Sequence, residues 1–196
     1  MKKCIYLLMV FTLIAATISC STGKIVVKDD DFTKAKTMTM YLKPGISDWS
    51  GAVLMMWENE FYREVKNGRS TPTTVAIKMI GATLVENFTN AAMVKVNDKV
   101  FNINGVITET EKKRNTDIDV STDATGKTTG KTSTREHKEF NLKLTLNPQI
   151  EKAMATASAI TLRLNAGNKP VTIVYSPKEV ESLKAFMTLD PNKPQK

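Results

Sequence analysis

Phe140-Asn-Leu-Lys-Leu-Thr-Leu146 places a large apolar side chain at every second position, with Asn141, Lys143 and Thr145 between them. Successive side chains of a strand point to opposite faces, so this alternation specifies a strand with one face in a core and the other in water. Strands of a doubly wound parallel sheet are covered on both faces and read as unbroken apolar runs. The pattern therefore points to an antiparallel sheet.

Downstream, Asn147 is a cap and Pro148 the first helical residue of a helix predicted to about Ala157. Ala159–Leu164 (AITLRL) and Pro170–Tyr175 (PVTIVY) read as strands joined by a turn containing Gly167. Ser176-Pro177-Lys178-Glu179 is a capping box, opening a helix with Val180, Leu183, Phe186 and Met187 on one face. The Pro- and Lys-rich segment 190–196 is expected to fray. Upstream, Ala91–Val96 and Lys99–Ile107 form an expected hairpin about Asn97-Asp98. Thr74–Ile80, Thr37–Leu42 and Lys24–Lys28 add further strands. Behind Asp48, the residues Trp49, Ala52, Val53, Met56, Trp57, Phe61 and Val65 recur at three- and four-residue spacing, which predicts a helix through Lys66.

These elements define an α+β class. The expectation is an antiparallel sheet of several strands with two or three packed helices, in a single domain over 24–189. A β-sandwich would suit the strand signals, but the two capped helices near the C-terminus count against it.

Residues 108–136 stand apart in composition. They hold nine threonines, six acids, six bases and one aliphatic pair, Ile118 and Val120. Such a segment is either a disordered loop, too polar to offset its ordering entropy, or a long β-ribbon, since Thr favours strands. The ribbon is preferred, with its tip at 126–130.

Residues 1–20, MKKCIYLLMVFTLIAATISC, carry Lys2 and Lys3 before an apolar stretch from Ile5 to Ala16, then small residues leading to Cys20. This is the pattern of a secretory signal peptide, and its apolar run is shorter than the roughly 20 residues of a membrane span. Thr17-Ile18-Ser19-Cys20 resembles the lipobox of bacterial lipoproteins, in the relaxed form found in spirochaetes, with Thr17 where the strict box prefers Leu. The resemblance implies removal of 1–19, acylation of Cys20 (palmitate among its chains) and a place in the cell envelope. It further implies an outer-membrane location, on the periplasmic face or the cell surface. Cys4 would leave with the leader, so Cys20 would be a lone thiol in an exported protein, which acylation explains. Residues 20–23 would then be a tether of at most about 10 Å.

The net charge is +8, of which Lys2 and Lys3 contribute two. Of the 28 bases 23 are Lys and five Arg, with no basic patch, so nucleic acid is not an expected partner. Gly130-Lys131-Thr132 lacks the earlier glycine of a phosphate-binding loop, since Thr125 stands there. Asp117, Asp119, Ser121 and Asp123 begin like a calcium loop, but Thr122 and Thr128 occupy the positions that need Gly and a bidentate acid. Asp29–Asp31 reads as a solvated turn. His137 is the single imidazole and reads as solvent-exposed between Glu136 and Glu139. No nucleophile–base arrangement, metal or cofactor is implied, and no enzyme is expected.

The expected function is a non-enzymatic, lipid-anchored binding module whose partners are its membrane and an envelope or host protein. The alternative is a periplasmic carrier for a lipid or other apolar ligand, with Trp49, Val53, Met56, Trp57 and Phe61 lining an apolar groove.

Overall fold

The computed structural model describes residues 23–47, 54–82, 85–103, 107–122, 125 and 128–193. In chain order the elements are β1 (Ile25–Asp30), β2 (Ala35–Leu42), β3 (Gly45–Ser47), β4 (Leu54–Lys66), β5 (Arg69–Ser70), β6 (Thr74–Ala82), β7 (Phe88–Val96) and β8 (Lys99–Ile103). Then follow β9 (Ile107–Thr122), β10 (Thr128–Thr145), α1 (Pro148–Met154), β11 (Ile160–Ala166), β12 (Lys169–Val174) and α2 (Pro177–Thr188).

The strands form two antiparallel sheets, not one. The larger runs β1-β2-β4-β6-β10-β9, with β5 beside β4, and the smaller β3-β12-β11-β7-β8. Each sheet turns one set of alternating side chains into a shared core. Met38, Met40, Phe61, Ile77, Met79, Phe140, Leu142 and Leu144 come from the larger sheet, and Val94, Val96, Ile160, Leu162, Leu164 and Ile173 from the smaller. Phe88 meets Phe140 edge to face at 5.1 Å across this core. The strand content and the antiparallel pairing agree with the sequence. The described architecture, mostly antiparallel strand with two helices, is broadly that of the α+β class, but its strands are divided between two sheets where one was expected and its helices are few.

Both helices begin where their caps predict. Asn147 Oδ1 accepts from the Ile150 amide at 2.9 Å, and Ser176 Oγ accepts from the Glu179 amide while Glu179 Oε2 accepts from the Ser176 amide. Ile150 and Met154 of α1 and Val180, Leu183 and Phe186 of α2 are buried. Asn97, at φ 52°, makes the tight turn between β7 and β8. Its Oδ1 accepts from the Ser158 and Ala159 amides, which ties that turn to the start of β11.

The helix predicted over 48–66 is not formed. Residues 48–53 lie outside the described residues, and Leu54–Lys66 is strand β4, between β2 and β6. Its core-facing row includes Asn59, Phe61, Arg63 and Val65, all buried. Two of these four are polar, so the apolar residues that remain are spaced four apart, which mimics a helix.

Asn59 and Arg63 are tolerated there because each has a partner. Asn59 Nδ2 donates to the Tyr175 hydroxyl at 2.7 Å. Arg63 Nη2 donates to the Phe186 carbonyl at 2.7 Å and Nη1 to the Met187 carbonyl at 3.5 Å. These are carbonyls of the last turn of α2, which the helix cannot itself satisfy. The guanidinium also lies 5.2 Å from the Phe186 ring centroid. Burial lowers the pKa of Arg63, opposed by the charge of Glu151. Arg63 thus fastens α2 to the larger sheet.

Candidate functional site: a projecting ribbon

Ile107–Thr122 and Thr128–Thr145, the two longest strands among the described residues, are β9 and β10, paired without interruption from Ile107↔Lys143 to Thr122↔Thr128. Of the two readings of the polar segment, the structure takes the ribbon, and Gly130, expected at the tip, lies within β10 opposite Val120. Strand β10 also pairs with β6, but only as far as His137↔Ala82. Beyond that point nine β9–β10 pairs, Arg114↔Glu136 to Thr122↔Thr128, have no further strand beside them among the described residues. At about 3.3 Å per residue the arm extends roughly 30 Å past the sheet.

The arm carries two unlike rows of residues. Arg114↔Glu136, Thr116↔Thr134, Ile118↔Thr132, Val120↔Gly130 and Thr122↔Thr128 continue the row of Phe140 and Leu142, and beyond Arg114↔Glu136 none is charged. Asn115↔Arg135, Asp117↔Ser133, Asp119↔Lys131 and Ser121↔Thr129 continue the row of His137 and Glu139. Val120 is 65% exposed, an aliphatic side chain held in water.

A polar cluster fixes the base of the arm. Lys113 Nζ lies 2.8 Å from Glu139 and 3.6 Å from Glu111. The Lys113 hydrogen bond holds the Glu139 carboxyl below the ordinary carboxylate range, and the same bond raises the Lys113 ammonium. His137 Nε2 is 3.7 Å from Glu139. Contrary to the sequence expectation, His137 is buried, at 9% exposure, because it sits where β10 still has β6 on one side and β9 on the other. One step outward, Arg114 donates from Nε and Nη2 to Glu136 Oε1 at 3.0 and 2.6 Å. Lys138 reaches the opposite way to the Val85 carbonyl at 2.6 Å.

Of the five residues expected to line an apolar groove, three fall on β4. Trp49 and Val53 lie outside the described residues. Met56 and Trp57 fall on β4, opposite Ile80 and Met79. Phe61 is core, with Tyr175 and Phe186 edge to face at 6.3 Å each. Between the sheets, a cavity lined by Phe61, Val94, Leu144, Leu162 and Tyr175 measures about 10 Å³, room for a water but not for an acyl chain. Cys20 is outside the described residues. Asp30 accepts from the Phe32 and Thr33 amides and the Thr33 hydroxyl, the bonding of a turn. Among the described residues no three His, Cys, Asp or Glu side chains come together as metal ligands.

Compared with protein-family models, with curated proteins and with solved structures, the chain matches none.

Proposed function

We propose that this chain is a non-enzymatic, lipid-anchored envelope protein that uses the β9–β10 arm to contact a macromolecular partner close to its membrane. The arm carries the reading. A two-stranded ribbon standing in water is only marginally stable, and this one carries, beyond Arg114↔Glu136, an uncharged threonine and aliphatic row and a charged row, a surface suited to recognition. The leader ending at Cys20 supplies the anchor, since two or three acyl chains hold a protein stably where one does not. The carrier alternative rested on a helix wall, whereas Leu54–Lys66 is a strand and its Phe61 belongs to the core.

Two measurements test the reading. When the full chain is expressed in a lipoprotein-processing bacterium fed an alkyne-tagged palmitate, label is expected on the wild type and absent from Cys20→Ala. Deletion of 112–134 is expected to preserve the cooperative melt of the body and to abolish capture of envelope partners. Unlabelled wild-type chain removes the anchor, and undiminished capture after the deletion removes the role of the arm.

A further inference from the structure

We propose that the arm recognises a second copy of this chain, through antiparallel edge-to-edge pairing of β9 with β9 about a two-fold axis centred on Thr116. The inference deepens the contact role proposed for the arm and does not depend on lipidation.

Strand β9 ends the order of the larger sheet, so among the described residues no strand pairs with its outer main-chain groups, which are open to another strand. It is 16 residues long, without proline, and its register with β10 has no bulge. Proteins commonly guard such an edge with proline, bulges or charge. Here only charge is present, in Lys112, Lys113 and Arg114 followed by Asp117 and Asp119. Those charges repel a generic strand yet complement their own reversed copy. A two-fold axis perpendicular to the sheet keeps each face on its own side, so only residues of the same row can stand opposite.

Centred on Thr116, the pairing opposes Lys113 to Asp119 twice, Asn115 to Asp117 twice, Arg114 to Ile118 and Lys112 to Val120. No like charges meet anywhere between Thr110 and Thr122. Shifting the centre to Asn115 sets Glu111 against Asp119, and shifting it to Asp117 sets that acid against itself. Lys113 can serve both Glu139 and the second copy's Asp119, because an ammonium has three donors. The product is a four-stranded sheet made from two ribbons, each marginal alone.

Cysteine cross-linking of the full chain in detergent, in a Cys4→Ala/Cys20→Ala background, tests this. In a pairing centred on position 116, that Cα lies about 4.5–5.5 Å from its copy, within reach of a disulfide. Mild oxidation of Thr116→Cys should give a covalent dimer that is absent from that background alone and from Val26→Cys on the opposite edge strand. By sedimentation, Asp119→Lys should weaken dimerisation about tenfold, two cross-strand attractions having become repulsions. Lys113→Asp combined with Asp119→Lys should restore it, with thermal melts confirming that each variant folds. A monomeric wild type, equal cross-linking at positions 26 and 116, or no rescue by the double variant overturns the proposal. A monomer whose partner capture is still lost on deleting 112–134 rejects self-pairing while the contact role stands. A dimer with undiminished capture supports self-pairing and rejects that role.

Discussion

Replacing Arg63 tests how the larger sheet holds α2. In Arg63→Ala, the 2.7 Å bond to the Phe186 carbonyl disappears, a charge-assisted bond worth about 1.5–3 kcal/mol. The contact with the Phe186 ring goes as well, at about 1–2 kcal/mol when desolvated. The truncated side chain leaves a void beside Met38, Phe61 and Phe186, all fully buried. Against these losses stands relief from burying a cation, several kcal/mol in the opposite direction. The balance predicts a net loss of about 3 kcal/mol, the void deciding the sign. For a chain of this size that is a fall in Tm of about 6–12 °C. Arg63→Met fills the void and also avoids the buried charge, so it should lie within about 1 kcal/mol of wild type. Urea unfolding followed by circular dichroism measures both, and amide exchange in α2 should quicken most in Arg63→Ala. An alanine variant as stable as wild type would refute the fastening role. A methionine variant as damaged as the alanine one would show that hydrogen bonding outweighs desolvation at this site.

Other outcomes follow from the same structure. Tyr175→Phe leaves the buried Asn59 amide without its acceptor and should cost about 1–3 kcal/mol by urea titration, with much of the loss recovered in Asn59→Leu/Tyr175→Phe. Ser176→Ala removes the cap of α2 and should cost about 1 kcal/mol, seen as a lower urea midpoint with unchanged slope. Because Lys113 depresses the pKa of Glu139 in the folded state, their pair stabilises above the ordinary carboxylate range and its contribution fades as pH falls through the folded value. The difference in urea midpoint between wild type and Lys113→Ala should therefore be largest near neutral pH and shrink in acid. A difference that does not change with pH would show that the pair adds nothing to stability.

The local signals that survive into the structure are those in which one residue type dictates one geometry. Asn147-Pro148 and Ser176-Pro177-Lys178-Glu179 start helices where they should, since a cap needs only its own next three residues. Phe140 to Leu146 alternates as written because every inward position is apolar. Strand β4 was illegible because its inward Asn59 and Arg63 find hydrogen-bond partners in Tyr175 and in α2, over a hundred residues away in sequence. The burial of His137 was hidden for a similar reason, since its cover comes from strands on both sides. Assignment of strands to two sheets was also out of reach, because β7 pairs with β11 across more than sixty residues. The arm was legible as a compositional outlier, and its uncharged and charged rows follow from alternation once the register is known.

The orientation of the arm relative to the chain's entry bears on how such a protein would meet its neighbours. The pairs Ile25↔Met40, Leu42↔Asn59, Leu54↔Gly81 and Ala82↔His137 all lie toward one end of the larger sheet, the end past which the ribbon projects. Gly23, hydrogen-bonded to the Tyr41 carbonyl, enters at that end too. Neighbouring strands twist by about 20–25°, so the four steps from β1 to β10 turn the ribbon roughly 80–100° from the first strand. For a body tethered just before Gly23 with β1 upright, the arm would lie sideways over the leaflet rather than stab into it. Diffusion confined to two dimensions would then sweep the ribbon edge through the plane where neighbouring copies travel, turning a weak handshake between edges into a frequent encounter.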